Sequence, residues 1–256
     1  MTRVLSGVVL AAATLAAILF LPAAGLRLVA AIVAAIAAFE YVALIGIDDA
    51  RVRPAFVLLV GFTAWRLSSG GGLGVVPLTA MVVAGVAAVF MRRNSARQAI
   101  LGAFATLYLG MPLGLLAMVN AVHGWRGTLL LIATIAVSDS LQYYSGRAFG
   151  RHALAPAISP KKTIEGAVGG ALAGTVFMVV AGRLVFPEYP WPWLAMLGLV
   201  MVLLGILGDL FESRLKREAN VKDSSSLIPG HGGVLDRIDA LLFVTPVYAI
   251  ALGVIR

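Results

Sequence analysis

Long apolar runs follow one another along almost the whole chain, broken only by short polar segments. Their approximate limits are 7–22, 26–46, 54–67, 73–91, 98–121, 127–146, 164–186, 191–211 and 238–255. A hydrocarbon core about 30 Å thick is crossed by about 20 apolar residues in a helix. The runs therefore predict an all-α, polytopic integral membrane protein of about nine transmembrane helices. Composition agrees: 61% of the 256 residues are hydrophobic and 12% charged, against about 45–50% and 25% in soluble domains. A soluble domain carrying one anchor is excluded. The first run ends near Pro22-Ala23-Ala24-Gly25, which is similar to a signal-peptide cleavage site. With eight further runs behind it, it reads as a retained span. The third run is short, and the glycine-rich stretch Ser68–Gly74 predicts a hairpin that lets spans three and four bend or re-enter. The chain reads as one polytopic domain over 1–256, with N-terminal helices to 121 and a catalytic half from 127 to 256.

The net charge is +8. The basic residues sit in short loops rather than on a soluble face, which points to topology and anionic lipid and away from nucleic acid. Put the N-terminus in the cytoplasm. That side then holds Arg3, Arg51, Arg53, Arg92, Arg93, Arg97, Arg147, Arg151, Lys161, Lys162, Arg214, Lys216, Arg217, Lys222 and Arg237. Only Arg27, Arg66, Arg126, Arg183 and Arg256 fall opposite. The positive-inside rule supports this orientation and an odd number of spans. The two largest polar loops, 147–163 and 212–237, then share the cytoplasmic face of a multi-pass protein of the cell (inner) membrane. Cysteine is absent, which excludes disulfides, thiolate catalysis and Cys-based metal sites.

Three groups of residues carry possible chemistry. The densest lies between the last two apolar runs. Asp209, Glu212, Ser213 and Lys216 fall on one helix face by spacing, and Asp236 and Asp239 are again three apart. Carboxylates arriving from two helix ends can hold a hard divalent cation such as Mg²⁺; equally, they can pair with Arg214, Arg217 or Arg237. Between them, Pro229-Gly230-His231-Gly232-Gly233 lets backbone N–H groups approach an anion, with His231 either structural or catalytic. The second group is Ser159-Pro160-Lys161-Lys162-Thr163-Ile164-Glu165-Gly166. Ser159 reads as an N-cap and Pro160 as a first-turn residue. Two lysines at a helix N-terminus suit phosphate, although lysines beside anionic lipid also serve topology. The capping-box position is not Glu165, which must point elsewhere. The third group is Asp139, Ser140, Tyr143, Gly146 and Arg147. Asp139 falls inside a span, where an acid marks either function or one helix–helix hydrogen bond. Glu40 is a weaker case of the same kind.

Cation-binding acids, anion-binding lysines and mobile glycines at a membrane surface describe transfer chemistry on phosphates. No Walker P-loop, Ser-His-Asp pattern or zinc H-E-x-x-H motif is present. A transporter relay would spread its acids through several spans, whereas most acids here cluster at one surface.

Ser213–Asp239 resembles the signature of the phosphatidate cytidylyltransferases, or CDP-diacylglycerol synthases, at every fixed position: S-x-hydrophobic-K-R-x4-K-D, then P-G-H-G-G and D-R-hydrophobic-D. The elements S-P-K-K-T-x-E-G and D-S-x-x-Y-x-x-G-R, Arg3 before the first run and Tyr108-x-Gly110-x-Pro112-Leu113 are similar in order and spacing. The resemblance implies that phosphatidic acid attacks the α-phosphorus of CTP, giving CDP-diacylglycerol for phospholipid biosynthesis and pyrophosphate. It implies Mg²⁺, with K⁺ beside it in some members, and a homodimer. It further implies Asp209 and Asp236 as metal ligands, with Asp239 and Asp223 completing or supporting that shell, and Asp223, Lys222, His231 and Asp239 in the catalytic group. Ser213, Lys216, Arg217 and Arg237 would hold CTP or lipid phosphates together with Lys222. Ser159, Lys161, Lys162 and Thr163 would close the site, and Asp139 and Tyr143 would contact substrate. Gln142, before Tyr143, departs from the small residue that many members carry, which bears on the lipid acceptor. A related enzyme using another lipid phosphate, such as a polyprenyl or ether-lipid phosphate, would carry the same reactive residues.

Overall fold

The computed structural model describes residues 2–47, 49–50, 52–90 and 96–255. Arg51, Arg92, Arg93 and Arg256 of the charge count lie outside them, as does the side chain of Arg3. The elements run α1 (Thr2–Phe20), α2 (Ala23–Leu44), α3 (Val52–Ser68), α4 (Val75–Phe90), α5 (Ala96–Ala105), a π-helical turn (Thr106–Gly110), α6 (Met111–Phe149), β1 (Ala153–Ala155), β2 (Ser159–Thr163), α7 (Ile164–Val185), α8 (Trp191–Glu218) and α9 (Leu235–Ala251). Among the described residues, four helical stretches are long and apolar enough to cross a membrane: Ala23–Leu44, Arg97–Phe149, Ile164–Val185 and Trp191–Glu218. The stretch Arg97–Phe149 is interrupted at Gly124, whose φ of 66° and ψ of −171° are not helical. That break falls between the fifth and sixth apolar runs of the sequence.

The fold is helical, as expected, and one short hairpin corrects the local reading of Ser159 and Pro160. Ala153–Ala155 and Ser159–Thr163 pair as an antiparallel two-stranded hairpin. Ser159 is therefore not a helix N-cap, nor Pro160 a first-turn residue. A residue before proline is pushed toward extended backbone. Thr163, four residues on, caps α7 instead.

The chain divides into two compact units: Met1–Val122 with Leu215–Ile238, and His123–Arg214 with Asp239–Arg256. In the first, Tyr41, Val42, Val52, Phe56 and Val60 are fully buried between α2 and α3. Tyr41 donates its hydroxyl to the Leu101 carbonyl at 3.1 Å. Gly110 and Gly114 pack on α3: an added Cβ would meet Thr63 Cβ at 2.9 Å from Gly110 and the Ala64 carbonyl at 2.9 Å from Gly114. Lipid supplies no hydrophobic drive between helices, so close backbone approach through small residues takes its place. The glycine-rich stretch between α3 and α4 forms the expected turn, with Gly70 (φ 84°) and Gly72 (φ 67°) in the left-handed region.

The second unit uses the same device. Gly166, Gly170, Gly174 and Gly182 form a buried stripe on α7. A Cβ at Gly166 would meet the Gln142 carbonyl of α6 at 2.7 Å, and one at Gly198 of α8 would meet Met178 Cβ at 2.7 Å. The opposite face of α7 exposes Leu172, Val176 and Val180, which suits lipid. At Gly208 of α8 a Cβ would lie 2.6 Å from the Asp239 carbonyl of α9. That approach places the acids of the two helices together.

Candidate functional site

In the second unit, the hairpin delivers a lysine to an acid. Glu165 reaches back from the first turn of α7 and accepts from the Arg151 and His152 backbone N–H groups at 3.1 and 3.3 Å. It also meets His152 Nδ1 at 2.6 Å. Thr163 Oγ1 accepts from Gly166 N at 3.1 Å. The start of α7 thus holds the residues just before the first strand and the end of the second. Successive strand residues point to opposite faces. Lys161 is exposed, while Lys162 Nζ donates to Asp209 Oδ2.

Asp209 belongs to a group of three carboxylates. Asp209 and Glu212, one turn apart on α8, meet Asp239 of α9, and one oxygen from each lies within 4.8 Å of the others. Glu212 is completely buried. Ser213 Oγ donates to Asp209 Oδ1 at 3.3 Å, and the Ala240 N–H donates to Asp239 Oδ1 at 2.8 Å. Asp139 of α6 joins the same electrostatic neighbourhood, interacting with the charges of Asp209 and Lys162. Its Oδ1 accepts from Gln142 Nε2 at 3.1 Å. Tyr143 is exposed, and its hydroxyl accepts from Arg147 at 3.4 Å. The donor set fits a hard cation. All three groups offer oxygen, and oxygens around Mg²⁺ at about 2.1 Å lie up to about 4 Å apart, close to the spread found.

In the first unit, Asp236 holds the polar loop rather than standing in a group of acids. Its Oδ2 accepts from Ser224 N, Ser224 Oγ and Gly233 N, each at 2.8 Å. Its Oδ1 receives Lys216 Nζ at 2.5 Å, and the two side chains are only 4% and 13% exposed. Gly232, with φ of 79°, takes a conformation that glycine adopts without strain. His231 Nδ1 lies 2.8 Å from Ser6 Oγ, whose hydroxyl also lies 2.9 Å from the Pro229 carbonyl. Arg217 donates to the Val221 carbonyl at 3.3 Å. Lys222, Asp223, His231 and Arg237 line an open pocket of about 530 Å³.

Of the expected site residues, Asp209, Asp239, Lys162 and Ser213 are brought together, with Asp139 in their field. Lys222, Asp223, His231 and Arg237 are brought together around the pocket. Glu212, read from sequence on the same helix face as Asp209, joins Asp209 and Asp239 in the group of three acids, whereas the resemblance had paired Asp209 with Asp236. Glu40 was read from sequence as an acid within a span; Ser224 and Ser225, which lie against it at 3.1 and 2.6 Å, were not singled out.

The cytidylyltransferase family model matches residues 1–255. The phosphatidate cytidylyltransferase of Bacillus subtilis (strain 168) is 37% identical over 144 residues, 56% of this chain and 54% of that protein. That of Haemophilus influenzae is 42% identical over 131 residues, 50% of this chain and 46% of that protein. That of Mycobacterium leprae is 33% identical over 213 residues, 75% of this chain and 68% of that protein. The matched segments span about half the length of the first two relatives.

Proposed function

This chain belongs to the cytidylyltransferase family, and on that footing we propose that it transfers the cytidylyl group of CTP to phosphatidic acid in a membrane. A phosphate oxygen of phosphatidic acid forms a bond to the α-phosphorus of CTP. The bond from that phosphorus to the bridging oxygen breaks, and pyrophosphate carries away the electron pair. The observation that carries the reading is the convergence of Asp209, Glu212 and Asp239 beside Lys162 in a chain matched over residues 1–255.

Asp209, Glu212 and Asp239 are assigned to holding Mg²⁺, with K⁺ as a companion from the family resemblance. Bound there, Mg²⁺ neutralises charge that develops on the phosphates. Lys162 balances the acids and offers N–H donors to an incoming phosphate. Lys222 and Arg237, exposed at the loop pocket, are assigned to holding anionic substrate, and Arg217 and Lys161 to attracting it. Lys216 acts through its buried bond to Asp236, which fixes the loop. Ser159 and Thr163 act through the hairpin, and Ser213 through Asp209. The attacking phosphate is already anionic, so His231 and Asp223 are assigned to orienting phosphate rather than to removing a proton. A cytoplasmic N-terminus, about nine spans, residence in the inner membrane and a homodimer complete the proposal.

The test is a radiolabelled-CTP assay on detergent-purified protein, with phosphatidic acid and a panel of other lipid phosphates, with and without Mg²⁺. A labelled lipid that requires phosphatidic acid and Mg²⁺ is expected. No product from phosphatidic acid on folded protein would overturn the reading, and turnover of another acceptor alone would reassign the substrate.

A further inference from the structure

Glu40 has no role in the reaction as derived above, yet it is among the most completely satisfied acids in the chain. It lies near the C-terminal end of α2 and is only 3% exposed. A carboxylate buried in an apolar helix is costly unless its lone pairs are met. Here each oxygen receives a backbone N–H, Oε1 a hydroxyl as well, and beside Oε2 lies Ser224 Oγ, whose one proton is shared with Asp236. Oε1 accepts from Ser225 Oγ at 2.6 Å and the Val234 N–H at 3.0 Å. Oε2 accepts from the Leu235 N–H at 2.8 Å, with Ser224 Oγ at 3.1 Å.

These donors come from the two ends of one loop. Ser224 and Ser225 stand where the loop leaves Lys222 and Asp223; Val234 and Leu235 stand where α9 begins. Between them run Pro229-Gly230-His231-Gly232, which line the pocket with Lys222 and Arg237. Few apolar side chains of this segment are buried, so packing does little to order it. Glu40 also satisfies N–H groups at the start of α9 that no helical carbonyl can reach. Asp236 grips the same two ends from within the loop, through Ser224 and Gly233.

We propose that Glu40 is a positioning residue: from α2 it clasps both ends of the 224–235 loop and so sets Lys222, His231 and Arg237 for an anionic nucleotide. The proposal rests on the function assigned above for its kinetic consequence, but not for the clasp itself. Glu40→Gln is the informative change. Each carboxylate oxygen receives one backbone N–H, so either orientation of the amide sets its NH₂ group against a backbone donor. One end of the loop must then let go. Glu40→Asp keeps two acceptor oxygens on a shorter arm. Ser225→Ala removes a single hydroxyl donor and leaves the buried acid in place.

The experiment pairs hydrogen exchange of the substrate-free protein in detergent with steady-state kinetics in CTP. In Glu40→Gln, exchange across 224–235 is expected to quicken while the interiors of α2, α3 and α9 keep their protection. KM for CTP is expected to rise about tenfold or more, with kcat changed less, and Glu40→Asp is expected to recover part of both. Ser225→Ala gives a smaller change of the same pattern and serves if Glu40→Gln does not fold. Wild-type exchange in the loop overturns the clasp. Loss of protection throughout the unit in both variants makes Glu40 structural only and also overturns it. Faster loop exchange with unchanged KM overturns the positioning role. If the wild-type protein shows no turnover of CTP, the assigned function fails; the exchange result then decides the clasp by itself.

Discussion

Gly208 is the position at which a single methyl group should separate metal holding from folding. A Cβ there would meet the Asp239 carbonyl oxygen at 2.6 Å, Phe243 Cδ2 at 3.1 Å and Ala240 Cα at 3.3 Å. Two of these are backbone atoms that cannot swing aside. The shortfall against an ordinary carbon–oxygen contact is roughly 0.8 Å, so α8 and α9 must part by several tenths of an ångström. Overpacking of this kind costs about 1–3 kcal/mol, and alanine returns about 1 kcal/mol in helix propensity. Stability should therefore fall by about 0–2 kcal/mol, which leaves the protein folded. Metal ligation is stricter, tolerating shifts of about 0.2 Å. Moving Asp239 away from Asp209 and Glu212 should weaken apparent Mg²⁺ affinity about 10–100-fold, the range seen when the support of a ligand is disturbed. Gly205→Ala, one turn earlier on α8, is the control. Its Cβ would meet Ile135 Cδ1 at 3.4 Å and Ala240 Cβ at 3.7 Å, both ordinary contacts. The assay is turnover against Mg²⁺ concentration, with thermal melting of the same samples. A wild-type Mg²⁺ curve for folded Gly208→Ala, or equal weakening in Gly205→Ala, would refute the reasoning.

Three further outcomes follow from the contacts. Lys162→Met should lower kcat about 10²–10³-fold, the range for removing one preorganised hydrogen-bond donor to developing negative charge, measured at saturating CTP and Mg²⁺; an unchanged kcat would remove Lys162 from the reaction. Asp236→Asn removes the carboxylate charge from the buried Lys216–Asp236 pair and should cost about 3–5 kcal/mol, read as a fall in melting temperature in detergent. Glu165→Ala takes the acceptor from the Arg151 and His152 N–H groups; faster hydrogen exchange at 151–163 is expected, with α8 unaffected.

The helices were legible because a membrane asks little of sequence beyond apolar length. Runs such as 164–186 and 26–46 differ from α7 and α2 by only a few residues at their ends. The break before the sixth run was visible too, although Gly124, rather than a loop, makes it. The hairpin was not legible. Ser159-Pro160 satisfies the local rules for a helix start as well as those for an extended strand. The choice is made by Thr163, which takes the cap, and by Glu165, which holds the chain just before the first strand from 14 residues away in sequence. Glu40 was invisible as a clasp for a similar reason. Its donors lie 184 to 195 residues later, and nothing near Glu40 in sequence names them.

The same limit explains why acids that a motif treats alike divide into two kinds. Asp236 and Asp239 stand three apart in D-R-I-D and are chemically identical in sequence. Asp236 receives two backbone N–H groups, a hydroxyl and a buried ammonium. Asp239, among the described contacts, receives only the N–H of its neighbour Ala240, and it faces Asp209 and Glu212. To ligate a cation, a carboxylate must give up donors that already occupy its lone pairs, and each buried donor left behind costs about 1–3 kcal/mol. Recruiting Asp236 would release several such donors and break its bond to Lys216. Recruiting Asp239 releases one at most, and the cation also relieves repulsion among three clustered acids. The balance of donors thus favours Asp239 over Asp236 for the cation role proposed above, and Asp236 ties the ends of the loop that carries Lys222 and His231.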